Sequence, residues 1–433
     1  MRKIILVGIS LMLLVFAAVG CSQKSSSGSG TKKGEKVELT WYFPIAVGGP
    51  LTKIIEKLAE DFTKENPDIV IKPVYTGTYD ETMTKVQTAI QGKTSPDLAV
   101  LLSTELYTLL DMKAITPLDE FFTGSASNKA DSFYPAFMEN SQTGGKTYSL
   151  PFQRSTIVLY YNKDAFEKAG LDKKQPPKNW DELVEYGKKL VDSGMKAGVE
   201  IPSTNFQYWM FQALALQNGK NLMSDDGKEV YFDTPENEEA LQFMMDLAQK
   251  HKISPNGVID WATAPSDFLE GNTAMLYHTT GNLTNIKNNA KFDFGVAFLP
   301  AGKNYGSPTG GGNFYIFNDI PKEKKEAAWK FIDWATQPER AAQWSIDTGY
   351  VATSKAAYET DEMKKYVESF PQAVVARDQL EHASAELSTH SNGKIYKIIN
   401  DNIQAAITGK ASAKEALKKA QEDAEKVLKP YNK

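Results

Sequence analysis

VELTWYF (37–43), IVIKPVY (69–75) and DLAVLL (97–102) are short β-rich runs, each parted from the next by a segment of helical period. In the first such segment Ile54, Ile55, Leu58 and Phe62 fall on one face, and ENPD stops it; the second is YDETMTKVQTAIQ (79–91). Strands separated by whole helices are joined by crossovers and not by hairpins. The pattern therefore predicts βαβ units, a parallel sheet and an α/β fold. At 433 residues the chain is long enough for two or three compact units.

The middle of the chain is mostly helical. NWDELVEYGKKLV opens with a capping box at Asn179 and Glu182, and TPENEEAL places Thr234 as N-cap with Pro235 in the first turn. Strand candidates then return as TAMLY (273–277), FDFGVAFLP (292–300) and NFYIF (313–317). Two amphipathic helices end the chain, the second opening with a box at Ser412 and Glu415. There is no internal repeat.

Composition and motifs remove several function classes. A net charge of −5 leaves no dominant basic face for nucleic acid. There is no C-x-x-C, H-E-x-x-H or G-x-S-x-G, and His251, His278, His382 and His390 lack metal-ligand spacing. PTGGGNFYIF precedes a strand instead of linking a strand to a helix, which makes it a poor phosphate loop. With 54 acidic residues, carboxylate pairs identify no glycosidase. No catalytic residue, metal or cofactor is predicted, and the chain is read as a binding protein, not an enzyme.

The N-terminus carries its own message. Arg2 and Lys3 precede an apolar run from Ile4 to Val19, and small residues then lead to the single cysteine, Cys21. Residues 1–20 read as an export signal. Ala18-Val19-Gly20-Cys21 resembles the lipobox of bacterial lipoproteins, which implies a diacylglyceryl (palmitate-type) anchor on Cys21. Two acyl chains anchor stably where one is marginal. Residues 21–36, rich in Ser, Gly and Lys, form a tether with a reach on the order of 20 Å. The expected location is the extracytoplasmic face of a bacterial cell membrane, with the folded body starting near Val37.

Aromatic residues stand near turns and element ends: Trp41, Tyr42, Phe206, Tyr208, Trp209, Tyr277, Trp344 and Tyr350. Ring faces stack on sugar C–H surfaces while neighbouring hydroxyls and amides bond a ligand's hydroxyls. Core packing is the competing reading for each.

GKTYSLPFQRSTIVLYYNKDAFEKAGLDKKQPPKNWDEL (145–183) resembles the same region of solute-binding proteins of ATP-driven sugar and polyol-phosphate importers. The likeness continues through FLEGNTAMLYHTTGNLTNI (268–286), PTGGGNFYIF, TGYVATSKAAY (348–358) and TGKASAKEAL (408–417). Within that family the glycerol-3-phosphate-binding branch is the nearest in pattern. The resemblance implies two hinged α/β lobes, 37–152 with 297–338 and 153–296 with 339–433, closing on a ligand in the cleft between them. It also implies a monomer that hands a carbohydrate or glycerol-phosphate compound to permease subunits.

Ligand contacts implied by the matching motifs are Tyr79, Ser155, Thr280, Gly311 and Tyr350, with Phe206 and Tyr208 near a pair of tryptophans of that branch. Trp41 joins them as a cleft aromatic. The branch's hydroxyl-gripping acid aligns near Ser103, with Glu105 two positions on, and its phosphate-gripping arginine near Ser388 and Thr389. Arg154 or His390 would have to supply the missing charge; otherwise the ligand is an uncharged sugar. A surface-anchored glycan hydrolase and a structural lipoprotein or adhesin are the competing readings, separated by whether ligand binds without being consumed.

Overall fold

The structure, a computed structural model, describes residues 36–432. The export signal, Cys21 and the tether as far as residue 35 lie outside the described residues. β1 (Val37–Phe43), β2 (Ile69–Tyr75) and β3 (Leu98–Leu102) form where the β-rich runs place them. Helices Leu51–Glu65 and Tyr79–Gln91 connect them, the second held at its start by a reciprocal Thr78–Glu81 capping box. β1 pairs in parallel with both β2 and β3. Pro73, which has no N–H to donate, lies on β2 at the sheet edge.

Beyond β3 the sheet becomes antiparallel. β4 (Gln142–Thr143) and β5 (Lys146–Thr147) make a small separate hairpin. β6 (Leu150–Asn162), β7 (Met275–Thr279), β8 (Phe294–Ala297), β9 (Ser307–Ile316) and β10 (Ala383–Ser384) extend the main sheet. Its order is β2-β1-β3-β9-β6-β7, with β8 on β6 and β10 on β9. β9 comes from late in the chain and runs between β3 and β6, antiparallel to both. The sheet is therefore mixed: β1 to β3 and the short β10–β9 pair are parallel, and the all-parallel expectation fails for the rest.

β6 joins the two lobes. Its first half, Leu150 to Thr156, pairs with β9, and its second half, from Ile157, pairs with β7 and β8. Each lobe has its own hydrophobic core. In the first, Trp41 packs against Phe43, Phe152, Phe314 and Phe331, with ring centroids 5.1–6.1 Å away. In the second, the almost wholly buried helix Gln207–Gln217 packs against helices Pro235–Gln249 and Asn392–Ile407, and helix Ala413–Leu428 packs on those two in turn. Trp344 and Tyr350, although late in the chain, belong to the first core.

Two local expectations are corrected. The glycines of PTGGG do not precede a strand; they are inside β9. A methyl group on Gly310 would lie 2.3 Å from Trp209 Cζ2, and Gly311 has φ +92°. These positions are glycine because a ring and a backbone carbonyl press against the strand. The Asn179 box is also displaced: Asn179 Oδ1 accepts from Glu182 N–H at 2.9 Å, but Glu182 returns to the Lys178 N–H (Oε2, 2.8 Å) and to the Asn179 side-chain amide (Oε1, 3.3 Å) and not to the Asn179 N–H. Thr234 and the Ser412–Glu415 box cap their helices as expected.

Candidate functional site

Two adjoining cavities share Ala46, Val47, Tyr79, Phe206 and Trp261. The inner, of about 30 Å³, is lined further by Ser155, Trp209, Thr279, Gly311, Tyr350 and Glu386. The outer, of about 460 Å³, is more polar, with Asp80, Asn205, Asn282 and Asn285 in its wall. A volume of this order suits a small-molecule site.

Each wall residue is positioned by its local structure. The Thr78–Glu81 box sets the first turn from which Tyr79 projects, and the Tyr79 hydroxyl donates to Gln153 Oε1 at 2.9 Å. Ser155 stands on β6 opposite Gly310 of β9. Trp209 donates its indole N–H to Thr309 O at 2.8 Å, close to the glycine run. Trp261 leans on Phe206 (4.6 Å) and on His278 (4.0 Å), and donates to Ala46 O at 3.2 Å. Tyr350 follows the left-handed Gly349 that ends helix Pro338–Thr348. Its ring lies over Gly281, where a methyl group would come within 2.9 Å of it.

Of the sequence-predicted residues, Tyr79, Ser155, Phe206, Gly311 and Tyr350 therefore come together around the inner cavity. Thr280 does not line it. Its Oγ1 accepts from Thr156 N–H at 3.4 Å, fastening β6 to the end of β7, and the preceding Thr279 takes the lining position. Tyr208 is displaced in the same way. Phe206 and Trp209, three apart, share a helical face, whereas Tyr208 points away and stacks on Tyr396 at 3.9 Å. Trp41 shares the buried face of β1 with Leu39 and Phe43, two residues to either side, so it belongs to the core and not to the cleft.

The charged candidates also lie elsewhere. Arg154 alternates with Ser155 along β6 and so projects to the opposite side of the sheet. There it donates to Gly311 O (3.2 Å), Asn313 Oδ1 (3.3 Å) and Thr309 Oγ1 (3.0 Å). Burial lowers its pKa to about 10, which leaves it cationic at neutral pH. Ser103 is fully buried, its carbonyl accepting from the Tyr315 hydroxyl at 3.2 Å. Thr389 is buried with its N–H on Asn392 Oδ1 (3.1 Å), and His390 is bound to Asp111 (2.9 Å) beside Tyr107 and Tyr431. Among the described residues, no lysine or arginine lines either cavity.

Trp261, Asn282 and Glu386 were not singled out by the sequence; Trp209 was seen only as one aromatic among several. Glu386 accepts from the Tyr208 hydroxyl at 2.7 Å. Burial raises its pKa from 4.5 to about 8, against the opposing Tyr208 hydrogen bond and Arg154 charge, while Glu105 adds to the rise. A carboxyl whose folded pKa is raised stabilises fully below the unfolded value, and that contribution is lost as pH rises through the folded one. We therefore expect the melting temperature to fall between about pH 5 and pH 8, and to fall less in Glu386→Gln. Scanning calorimetry across that range checks this; identical pH profiles for the two proteins would refute it.

Among the described residues, no group of three or more His, Cys, Asp or Glu could hold a metal ion. Among them, too, no helix is long and apolar enough to cross a membrane.

A sequence profile for bacterial extracellular solute-binding proteins matches residues 57–372. The sn-glycerol-3-phosphate-binding periplasmic protein UgpB of Salmonella paratyphi A is 32% identical over 404 residues, covering 89% of this chain and 91% of that protein. Among solved structures, UgpB from Mycobacterium tuberculosis in complex with glycerophosphocholine superposes with a TM-score of 0.81 at 25% identity, over 94% of this chain and 100% of that one. The cyclic alpha-maltosyl-1,6-maltose binding protein from Arthrobacter globiformis gives a TM-score of 0.79 at 23% identity, over 91% and 100%, and shares the two-lobed fold.

Proposed function

We propose, from the premise that this chain belongs to the bacterial extracellular solute-binding protein family, that it is the substrate-binding lipoprotein of an ABC importer. It captures a carbohydrate or glycerol-phosphate compound in the cleft and delivers it to permease subunits without chemical change. Its two lobes close about the β6 crossover, with Trp344 and Tyr350 of the 339–433 segment seated in the core of the first lobe. Cys21 carries the lipid anchor on the extracytoplasmic face, and the body works as a monomer.

One observation carries the reading. Tyr79, Phe206, Trp209, Trp261 and Tyr350, drawn from across the chain, converge with Ser155 and Glu386 on one cavity. Apolar ring faces around a few polar groups suit a polyhydroxylated solute. Relatives point to the same solute class: one is named for sn-glycerol 3-phosphate, and another is solved with glycerophosphocholine.

Thermal unfolding against monosaccharides, oligosaccharides, glycerol 3-phosphate and glycerophosphocholine tests this. Ligand at a thousandfold above its Kd is expected to add about 4 kcal/mol of stability. Chromatography of the same mixtures is expected to return the ligand intact. Cleavage of an oligosaccharide would favour a hydrolase, and no shift with any compound would favour a structural lipoprotein.

A further inference from the structure

Two buried carboxyls stand at the interface of the lobes, one from each. Glu105, 8% exposed, ends the turn Ser103–Glu105 that follows β3 in the first lobe. Glu386, 1% exposed, precedes Leu387, which is part of the second lobe's core. The strap 384–392 that carries Glu386 lies across the first lobe. Ser388 Oγ donates to Thr104 O at 2.9 Å, and the Glu386 backbone exchanges two bonds with the Asn140 side chain, both at 3.0 Å. His390 meets Asp111 at 2.9 Å, beside the rings of Tyr107 and Tyr431. Opening the lobes would part the strap from Thr104 and Asp111 and admit water to both carboxyls.

The surroundings of each carboxyl oppose its charge. Arg154, whose charge reaches Glu386 through the sheet, is tied to Gly311 O, Asn313 and Thr309. Burial raises Glu386 to about 8 against Tyr208 and Arg154, with Glu105 adding to the rise. Burial likewise raises Glu105 to about 7 against Thr108 and Asn392, with Asp80 adding. Tyr208 donates to Glu386 Oε1 at 2.7 Å, so the acid proton at neutral pH falls on Oε2, which has no partner among the described residues. A third carboxyl flanks the strap: Glu139 Oε2 accepts from Ala385 N–H at 2.7 Å, and burial raises its pKa too, with Asp225 adding and Arg154 opposing.

We propose that closure of the cleft takes up protons at Glu105 and Glu386, so that solute is held in acid and released as pH rises. The inference rests on the cleft being the solute site and adds a control on its closure. In the open form both side chains meet water and titrate in the ordinary carboxylate range. Closure removes that water and brings two like charges together, which costs least when each carboxyl carries a proton. A carboxyl raised on closure favours the closed form fully below its open-form pKa, and that contribution is lost as pH rises through the closed-form value. The two residues therefore favour closure below about pH 5, and the effect fades by about pH 8. His390 and Asp111, also paired across the lobes, are the competing source of such linkage.

Calorimetric titration in buffers of different ionisation enthalpy counts the protons taken up per solute bound. The probes are glucose, maltose, sorbitol and glycerophosphocholine, none of which titrates between about pH 5 and pH 9. At neutral pH the probe that binds is expected to bring about one to two protons with it, and its Kd to rise on the order of tenfold or more per pH unit. Glu105→Gln and Glu386→Gln are each expected to lower the uptake, and the two together to abolish it, whereas His390→Gln is expected to keep it. Binding without uptake, uptake unchanged in the double variant, or uptake lost in His390→Gln would overturn the inference and leave the solute-binding reading intact. If the double variant does not fold, the single variants decide: uptake equal to wild type in both would overturn it. Binding of none of the four probes across that pH range would overturn both.

Discussion

Gly311→Ala is expected to destabilise the protein by about 2–6 kcal/mol, or to prevent its folding. The residue holds φ +92° in β9, and its new methyl group would lie 1.9 Å from Gln153 O. Two costs combine: left-handed backbone for a non-glycine residue, about 1–3 kcal/mol, and overpacking against a rigid partner, about 1–3 kcal/mol. Relief by moving Gln153 is poor, because its side chain accepts the Tyr79 hydroxyl and its strand joins the lobes. Gly393, at the start of helix Asn392–Ile407, has nothing within 4 Å of the point where a methyl group would stand, and it serves as the control. Gly393→Ala is expected to leave stability unchanged or slightly raised. Urea unfolding of the three proteins checks this. Equal midpoints would show that the close approach of β9 to β6 is not needed.

Trp261→Ala is expected to weaken ligand binding by on the order of a hundredfold or more, as for other buried aromatic hot spots. The ring borders both cavities, and its N–H reaches Ala46 O across the cleft. Removing it takes away a stacking face and a bond between the cleft walls together. Trp261→Phe keeps a ring and loses only the 3.2 Å hydrogen bond, so a smaller loss, about tenfold or less, is expected. Trp329, stacked on Phe121 in the first lobe, is outside both cavities, and Trp329→Ala is expected to keep the wild-type affinity. Titration of all three against the best ligand of the panel decides it. Equal losses for Trp261→Ala and Trp329→Ala would mean a general loss of structure instead of a lost contact.

What the sequence made legible was local. β1 to β3 and their helices follow from apolar periodicity and stop signals, and Thr234 and Ser412 announce their helices because capping acts within a few residues. The direction of β9 was not legible, since its neighbours β3 and β6 lie far from it in the chain. Tyr208 against Trp209 and Thr280 against Thr279 were each resolved only by knowing which way a face turns. Glu386 left no trace in ASAELSTHS: its burial depends on Tyr208, 178 residues away. Trp41 looked like a cleft ring because an aromatic in a half-buried strand fits core and site equally until the sheet's two faces are known.

The central claim is that this cleft binds a solute and returns it unchanged. One titration with recovery addresses it: calorimetry of the chain against the compound giving the largest thermal shift, followed by mass spectrometry of the ligand released on unfolding. The account predicts saturation at one ligand per chain, an affinity lost in Trp261→Ala, and a released compound identical to the one added. Binding that survives Trp261→Ala undiminished, or a ligand recovered in pieces, would contradict it.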